Sequence, residues 1–202
     1  MQDLIDLEHQ PLATLPARDR ILRTASDLFY RFSVHTVGID RIIAESGVAK
    51  MTFYKYFPSK ARLIAEYMQD QNAVWLQMLG AATEREGLTP TEHVLAIFDA
   101  LDGSFQTPPF RGCPFVKGLA EFGPDADSPE VQGRIAAYFQ SLHDFVADLI
   151  SPMGLVDPDK TVLQILSLIQ GAIVMAQTMP DRSIAAANRD AAEALLRAAT
   201  VR

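Results

Sequence analysis

One cysteine, one tryptophan and four histidines in 202 residues leave little material for several common chemistries. The single thiol, Cys113, excludes an intrachain disulfide and with it the disulfide framework of a secreted domain. His9, His35, His93 and His143 show no metal-ligand spacing with one another or with Cys113, so no metal is expected. No glycine-rich phosphate loop or oxyanion-hole motif accompanies Cys113. An enzyme using it as nucleophile, with His93 or His143 as base, therefore has little support, and neither catalytic residues nor a cofactor are expected. Long uninterrupted apolar runs are missing too. The richest, Val162 to Met179, is broken by Gln164, Gln170 and Gln177 and lacks flanking aromatic anchors, so it reads as a buried helix rather than a membrane span. The opening MQDLIDLEHQ is acidic and has no apolar core, which argues against a secretory signal and makes the cytoplasm the expected compartment.

Net positive charge is also lacking: the formal balance is -7. Taken as an average this speaks against a nucleic-acid partner, but the charge is unevenly spread. Pro16 to Arg62 holds nine Lys/Arg against four Asp/Glu, a local +5, whereas Leu63 to Arg202 carries nine against eighteen. A basic segment on an acidic body can dock to phosphates while the remainder discourages non-specific contact.

An apolar fraction of 49% with 21% charged residues is that of a globular protein. Helical periodicity dominates and strand-like alternation is hard to find, so the fold expected is all-α. Three parts are expected: a flexible extension over 1–15, a DNA-binding segment over 16–62 and a larger helical domain over 63–202. Ile21, Leu22, Ala25, Leu28, Phe29 and Phe32 form the stripe of a first helix starting near Pro16. Ser59 is an N-cap for a long helix through Leu79, and Thr89-Pro90 with Glu92, Ser128-Pro129 and Asp157-Pro158 mark later starts. A short helical piece over 114–122 should precede the helix opened by Ser128, whose face is Val131, Ile135, Tyr138, Leu142, Phe145 and Leu149. The last two helical patterns, 158–179 and 182–199, flank Pro180-Asp181 and are rich in small and apolar residues. Pairing across a two-fold into a four-helix interface is the simplest way to cover them.

The most informative stretch is IDRIIAESGVAKMTFYKYFPSKARL, from Ile39 to Leu63. Ile39, Ile42 and Ile43 lie on one apolar face, and Gly47 stands where a tight turn requires positive φ. The segment from Ala49 to Tyr56 then presents Lys50, Thr52, Tyr54 and Lys55 outward, while Phe53 and Phe57, four apart, hold it to its support. This is the pattern of a helix-turn-helix whose second helix enters the major groove. A merely solvated basic face would not explain the interleaved aromatics or the turn.

RILRTASDLFYRF followed by GIDRIIAESGVAKMTFYKYFPSKARL resembles the N-terminal domain of the TetR/AcrR transcriptional regulators. The family pattern G-V-x-x-x-T-x-Y-x-x-F-x-S-K is met by Gly47, Val48, Thr52, Tyr54, Phe57, Ser59 and Lys60. The resemblance implies a homodimer that binds a pseudo-palindromic double-stranded DNA operator and is released when a small-molecule effector changes the separation of its recognition helices. It further implies that Lys50, Met51 and Lys55 face base edges while Thr52, Tyr54, Tyr56 and Lys60 hold phosphates. The chain departs from the pattern in three places. Met51 stands where a small residue is usual, Ala61 where Glu is usual, and Val37-Gly38 where Ser or Thr caps the first motif helix. The last change passes that phosphate contact to Thr36 or to backbone amides at Gly38.

For the larger domain, Trp75, Phe98, Phe105, Phe115, Tyr138 and Phe139 read singly as ordinary core and together suggest an apolar pocket, in which Gln170, Tyr138 or His143 would orient a ligand. Cys113 lies in RGCPFVKGLAEF, a stretch that resembles one shared by a branch of the family. Just ahead of an expected helix start and near Arg111 and Lys117, it suggests redox or electrophile sensing as an alternative; a buried inert cysteine is the simpler reading. A DNA binder without any ligand, architectural or activating, is the third alternative.

Overall fold

A computed structural model of the chain describes residues 10–107, 110–123, 128–179 and 183–200. Within them it contains nine α-helices and no strand: α1 Ala17–Phe32, α2 Ile39–Ser46, α3 Lys50–Tyr56, α4 Lys60–Thr83, α5 Pro90–Gln106, α6 Pro114–Phe122, α7 Pro129–Ile150, α8 Pro158–Thr178 and α9 Ile184–Thr200. The all-α expectation therefore holds. Of the expected extension over 1–15, residues 1–9 lie outside the described residues. Leu12–Thr14 forms a single 3-10 turn and Leu15 is buried, so ordered chain begins ahead of Pro16. The Pro180-Asp181 break and Arg182 also lie outside the described residues.

The helix ends follow from local chemistry. Gly47 closes α2 in the left-handed region at φ 65°, where a side chain would be strained. Arg62 N–H donates to Ser59 Oγ at 3.1 Å at the start of α4. The Asp157 carboxylate accepts the Lys160 N–H at 3.1 Å at the start of α8. At Thr89 both halves of a capping box are present: Glu92 N–H donates to Thr89 Oγ1 and Thr89 N–H donates to the Glu92 carboxylate.

The chain divides into two compact units, residues 1–74 with 114–136 and residues 75–113 with 137–202. In the first, α1 packs on α2 and α3. Its core is Ile21, Leu28, Phe29, Val37, Ile42, Phe53 and Phe57, joined by Leu63, Tyr67 and Met68 of α4 and by Phe115, Val131 and Ile135. Phe29 and Tyr67 meet edge to face at 5.5 Å. A Cβ on Gly118 of α6 would lie 2.7 Å from Met68 Cε, so the end of that side chain would have to shift. In the second unit, α9 packs on α5 and α8 around Val94, Ile97, Phe98, Leu101, Ile165, Ile169, Ala192 and Leu196.

Three expected faces differ in detail. Phe32, read as core, is 41% exposed at the last position of α1, with the Arg41 guanidinium 4.4 Å from its ring centre. In α7 the buried positions after Leu142 are Val146 and Ile150 rather than Phe145 and Leu149, because the buried stripe advances there in steps of four. Helix α8 is long and apolar enough to cross a membrane, but it is not buried all round. Val162, Ile165, Ile169, Ala172 and Ile173 are covered, while Leu163, Val174 and Met175 are exposed. An aliphatic stripe on one face does not require the opposite face to be covered within the same chain.

Thr89→Ala should lower unfolding stability by about 1 kcal/mol through loss of the N-cap, measured by urea denaturation. The Thr89 N–H and hydroxyl donating to Glu92 hold its carboxyl below the usual glutamate range. A lowered folded-state pKa stabilises at neutral pH, and that stabilisation is lost as pH falls through it. The stability difference between wild type and Glu92→Ala should therefore shrink on acidification, and a constant difference would count against the capping ion.

Candidate nucleic-acid interface

Helix α3 has only seven residues, too few to stand alone in water. It persists because Phe53 and the following Phe57 are completely buried, their ring centres 6.1 Å apart. Anchoring by these two positions leaves the remaining faces of the helix to solvent. Lys50, Met51, Tyr54, Lys55 and Tyr56 are exposed, Met51 most of all at 87%, and Thr52 is half-buried. The expected outward set is thus on one element, with Ile42 behind it fully buried and Ile39 and Ile43 half-buried.

The cations of this face differ in their surroundings. Lys50 Nζ lies 3.6 Å from the Asp40 carboxylate, across the turn on α2. Both side chains are largely exposed, so this pair is worth about 0–1 kcal/mol and gives way to a stronger anion. Lys55 Nζ stands 5.7 Å from the Tyr56 ring centre. Lys60, expected to reach outward to phosphate, is half-buried, and its amine donates to the His35 carbonyl at 3.5 Å. Burial lowers its pKa, opposed by the nearby Glu121 carboxylate. Thr36 and Gly38 are exposed in the α1–α2 turn, where the Thr36 hydroxyl meets Ser33 Oγ at 3.2 Å. Gly38 is the N-cap of α2 without any side-chain cap, so the first backbone N–H groups of that helix have no competing side-chain acceptor there.

The candidates for a ligand site separate into groups. Phe115 belongs to the first compact unit, and the others belong to the second. Cys113, Tyr138 and Gln170 are brought together. The Cys113 thiol donates to Tyr138 Oη at 3.8 Å and Gln170 Nε2 donates to the same oxygen at 3.4 Å. Burial, reinforced by the neighbouring Cys113, pushes the Tyr138 hydroxyl pKa well above its ordinary value, so it stays a neutral phenol. Phe139 meets the Tyr138 ring at 5.1 Å and Phe105 meets Phe110 at 4.8 Å. Phe98 is fully buried, Trp75 half-buried, and His143 pairs with Asp144 at 3.2 Å on a more open surface. Two buried polar atoms in this unit, Gln170 Oε1 and Trp75 Nε1, make no hydrogen bond. Unmet buried groups of this kind are uncommon.

Lys117, expected near the thiol, donates instead to the Tyr30 carbonyl at 3.3 Å and stands over the Tyr30 ring. Sequence reasoning also missed Glu121, whose carboxylate accepts the His35 N–H at 3.1 Å. No periodicity or motif links two residues 86 positions apart, so nothing local signals that contact.

Comparison with known proteins places these elements in context. Residues 21–67 match the model for bacterial regulatory proteins of the tetR family. Over 170 residues the chain is 25% identical to YxaF of Bacillus subtilis, an uncharacterized HTH-type transcriptional regulator, covering 83% of this chain and 88% of that protein. Among solved structures it is similar to a TetR-family transcriptional regulator of Streptomyces coelicolor, with 29% identity and a TM-score of 0.83 over 92% of this chain and 96% of that one. It is also similar to a TetR-type regulator of Streptomyces avermitilis, with 25% identity and a TM-score of 0.79 over 93% of this chain and 100% of that one.

Since Cys113 is 7% exposed, a thiol reagent such as Ellman's reagent should modify the native protein slowly and the urea-unfolded protein at once. Prompt native labelling would show that the thiol is within reach of solutes and would revive the sensing alternative.

Proposed function

We propose that the chain is a TetR-family DNA-binding transcriptional regulator and not an enzyme, a cytoplasmic repressor that binds a pseudo-palindromic operator as a homodimer and is released by a small molecule. The observation that carries the reading is helix α3 itself. Its two phenyl anchors are buried, and its lysines, hydroxyls and Met51 face outward behind a left-handed glycine turn. Lys50, Met51 and Lys55 are the residues for base edges; Lys donates to guanine acceptors, and the Met51 side chain suits a thymine methyl. Thr52, Tyr54 and Tyr56 donate hydroxyls to phosphates, joined by Lys60, Thr36 and the amides after Gly38. In functional terms residues 16–62 bind DNA and residues 63–202 dimerise and bind the effector.

The exposed stripe of α8 supports the dimer. Leu163, Val174 and Met175 are 60%, 43% and 42% exposed, and an open groove between α8 and α9 is lined by Leu163, Leu168, Ala191 and Leu195. A second copy would cover this face as a four-helix interface. Two recognition helices then reach successive major grooves, about 34 Å apart for half-sites one turn apart. An effector that prefers a different separation lowers operator affinity by linkage, with α4 as the lever. The unmet Gln170 oxygen, beside the neutral Tyr138, favours an uncharged, largely apolar effector carrying a hydrogen-bond donor. Burial of Cys113 favours this reading over a thiol sensor.

Capture of genomic fragments at low ionic strength, followed by competition with candidate compounds, tests the proposal as a whole. Retention should fall steeply with salt, and a folded protein that retains no fragment would defeat it. Tyr54→Ala should reduce operator binding to the non-specific level while leaving the dimer intact in sedimentation. Leu163→Asp should do the reverse of the latter and shift the protein toward monomer, with weaker operator binding as a consequence. An unchanged sedimentation profile would remove α8 from the interface.

A further inference from the structure

The turn between α1 and α2 is built in a conformation that it cannot hold cheaply. Ser33, which ends α1, has φ 79° and ψ 154°, and it is the one non-glycine residue with positive φ among the described residues. That region is essentially reserved for glycine, and a side chain there persists only when its surroundings over-determine it. Within the turn the Ser33 and Thr36 hydroxyls meet at 3.2 Å, and Ser33 N–H donates to the Phe29 carbonyl at 3.0 Å.

Val34 and Val37 anchor the turn by burial, and Thr36 N–H lies 3.5 Å from Ser33 Oγ; further restraint on His35 comes from α6. Glu121, in its last turn, accepts the His35 N–H on its carboxylate at 3.1 Å, and the His35 ring Nε2–H donates to the Glu121 carbonyl oxygen at 3.0 Å. The Phe122 ring lies 5.0 Å from the same imidazole. From the other side Lys60 donates to the His35 carbonyl at 3.5 Å, so both polar groups of the His35 backbone are engaged. Helix α6 is itself seated closely. Lys117 donates to the Tyr30 carbonyl at 3.3 Å, and Gly118 lets the helix approach Met68 without an intervening Cβ.

We propose that Glu121 is a positioning residue for DNA binding: by accepting the His35 N–H it fixes the turn that presents Thr36 and the Gly38 end of α2 to phosphate. The inference rests on the reading of Thr36 and Gly38 as phosphate-facing. It makes the hydrogen bond, rather than the negative charge, the feature that matters. A carboxylate this close to a phosphate-binding face repels DNA by its charge, so its place there calls for a compensating geometric role.

Two variants separate the two properties. Glu121→Gln keeps an acceptor at the same reach and removes the charge, whereas Glu121→Asp keeps the charge and falls short by one methylene. The full-length protein is titrated with a genomic fragment that the wild type retains, and backbone amide exchange over 34–38 is followed in the DNA-free protein. Glu121→Gln should bind within about twofold of wild type with unchanged exchange. Glu121→Asp should bind about five- to tenfold more weakly, the scale of one lost hydrogen bond, with faster exchange at His35. The opposite order, or equal binding and exchange in all three proteins, overturns the proposal. If Glu121→Asp bound more tightly than wild type, that too would overturn it and make Glu121 a competing anion. The exchange measurement needs no DNA, so it judges the clasp even if the wild type retains no fragment, an outcome that would instead defeat the DNA-binding reading of Thr36 and Gly38.

Discussion

The exposed face of α3, proposed to meet DNA, depends on the burial of Phe53 and Phe57. A seven-residue helix has almost no intrinsic stability, and its lysines and tyrosines would otherwise sample many orientations. Two fully covered phenyl rings, one helical step of four apart, set both the position and the roll of α3 against α1. Burying a phenyl side chain contributes about 1.5–3 kcal/mol each, which is enough to hold a segment whose other residues are chosen for contact rather than packing. The polar face is therefore a consequence of the apolar one.

The same division of labour governs the charges. Around the recognition segment two cations that meet solvent are in weak, exposed pairs, Lys50 with Asp40 and Arg41 with Glu45, while exposed Lys55 lies near the Tyr56 ring. Such pairs exchange readily for phosphate, because little is lost when they part. Arg62, by contrast, bridges Glu66 and Glu130 at 3.1 and 2.6 Å, and these carboxylates hold its guanidinium more firmly in the charged state. Lysine and arginine counts in the segment thus overstate the charge free to meet DNA. The Lys60 amine is turned to the His35 carbonyl in this conformation and would have to leave it to meet a phosphate.

In the second unit the polar cluster of Cys113, Tyr138 and Gln170 stands among aromatic and aliphatic neighbours. Burial keeps the tyrosine neutral, and the half-satisfied glutamine leaves an acceptor facing no partner. A buried acceptor without a donor is unfavourable by about 1–3 kcal/mol, which a complementary ligand group would relieve. The exposed stripe on α8 raises the corresponding question for apolar area, which the proposed dimer would answer by covering it with a second copy of the same stripe.

Helix positions, the turn at Gly47, the caps at Ser59, Thr89 and Asp157 and the outward set on α3 were all legible in the amino-acid order. Each arises from residues no more than a few positions apart, where periodicity and hydrogen bonding to the next turn decide the outcome. Other features became visible only in three dimensions. These are the exposure of Phe32, the one-sided burial of α8, the inward amine of Lys60, the meeting of Cys113 with Tyr138 and Gln170, and the clasp of Glu121 on His35. They depend on which surfaces of distant segments come to face each other, and helical spacing says which side of a helix is apolar without saying what, if anything, will cover it.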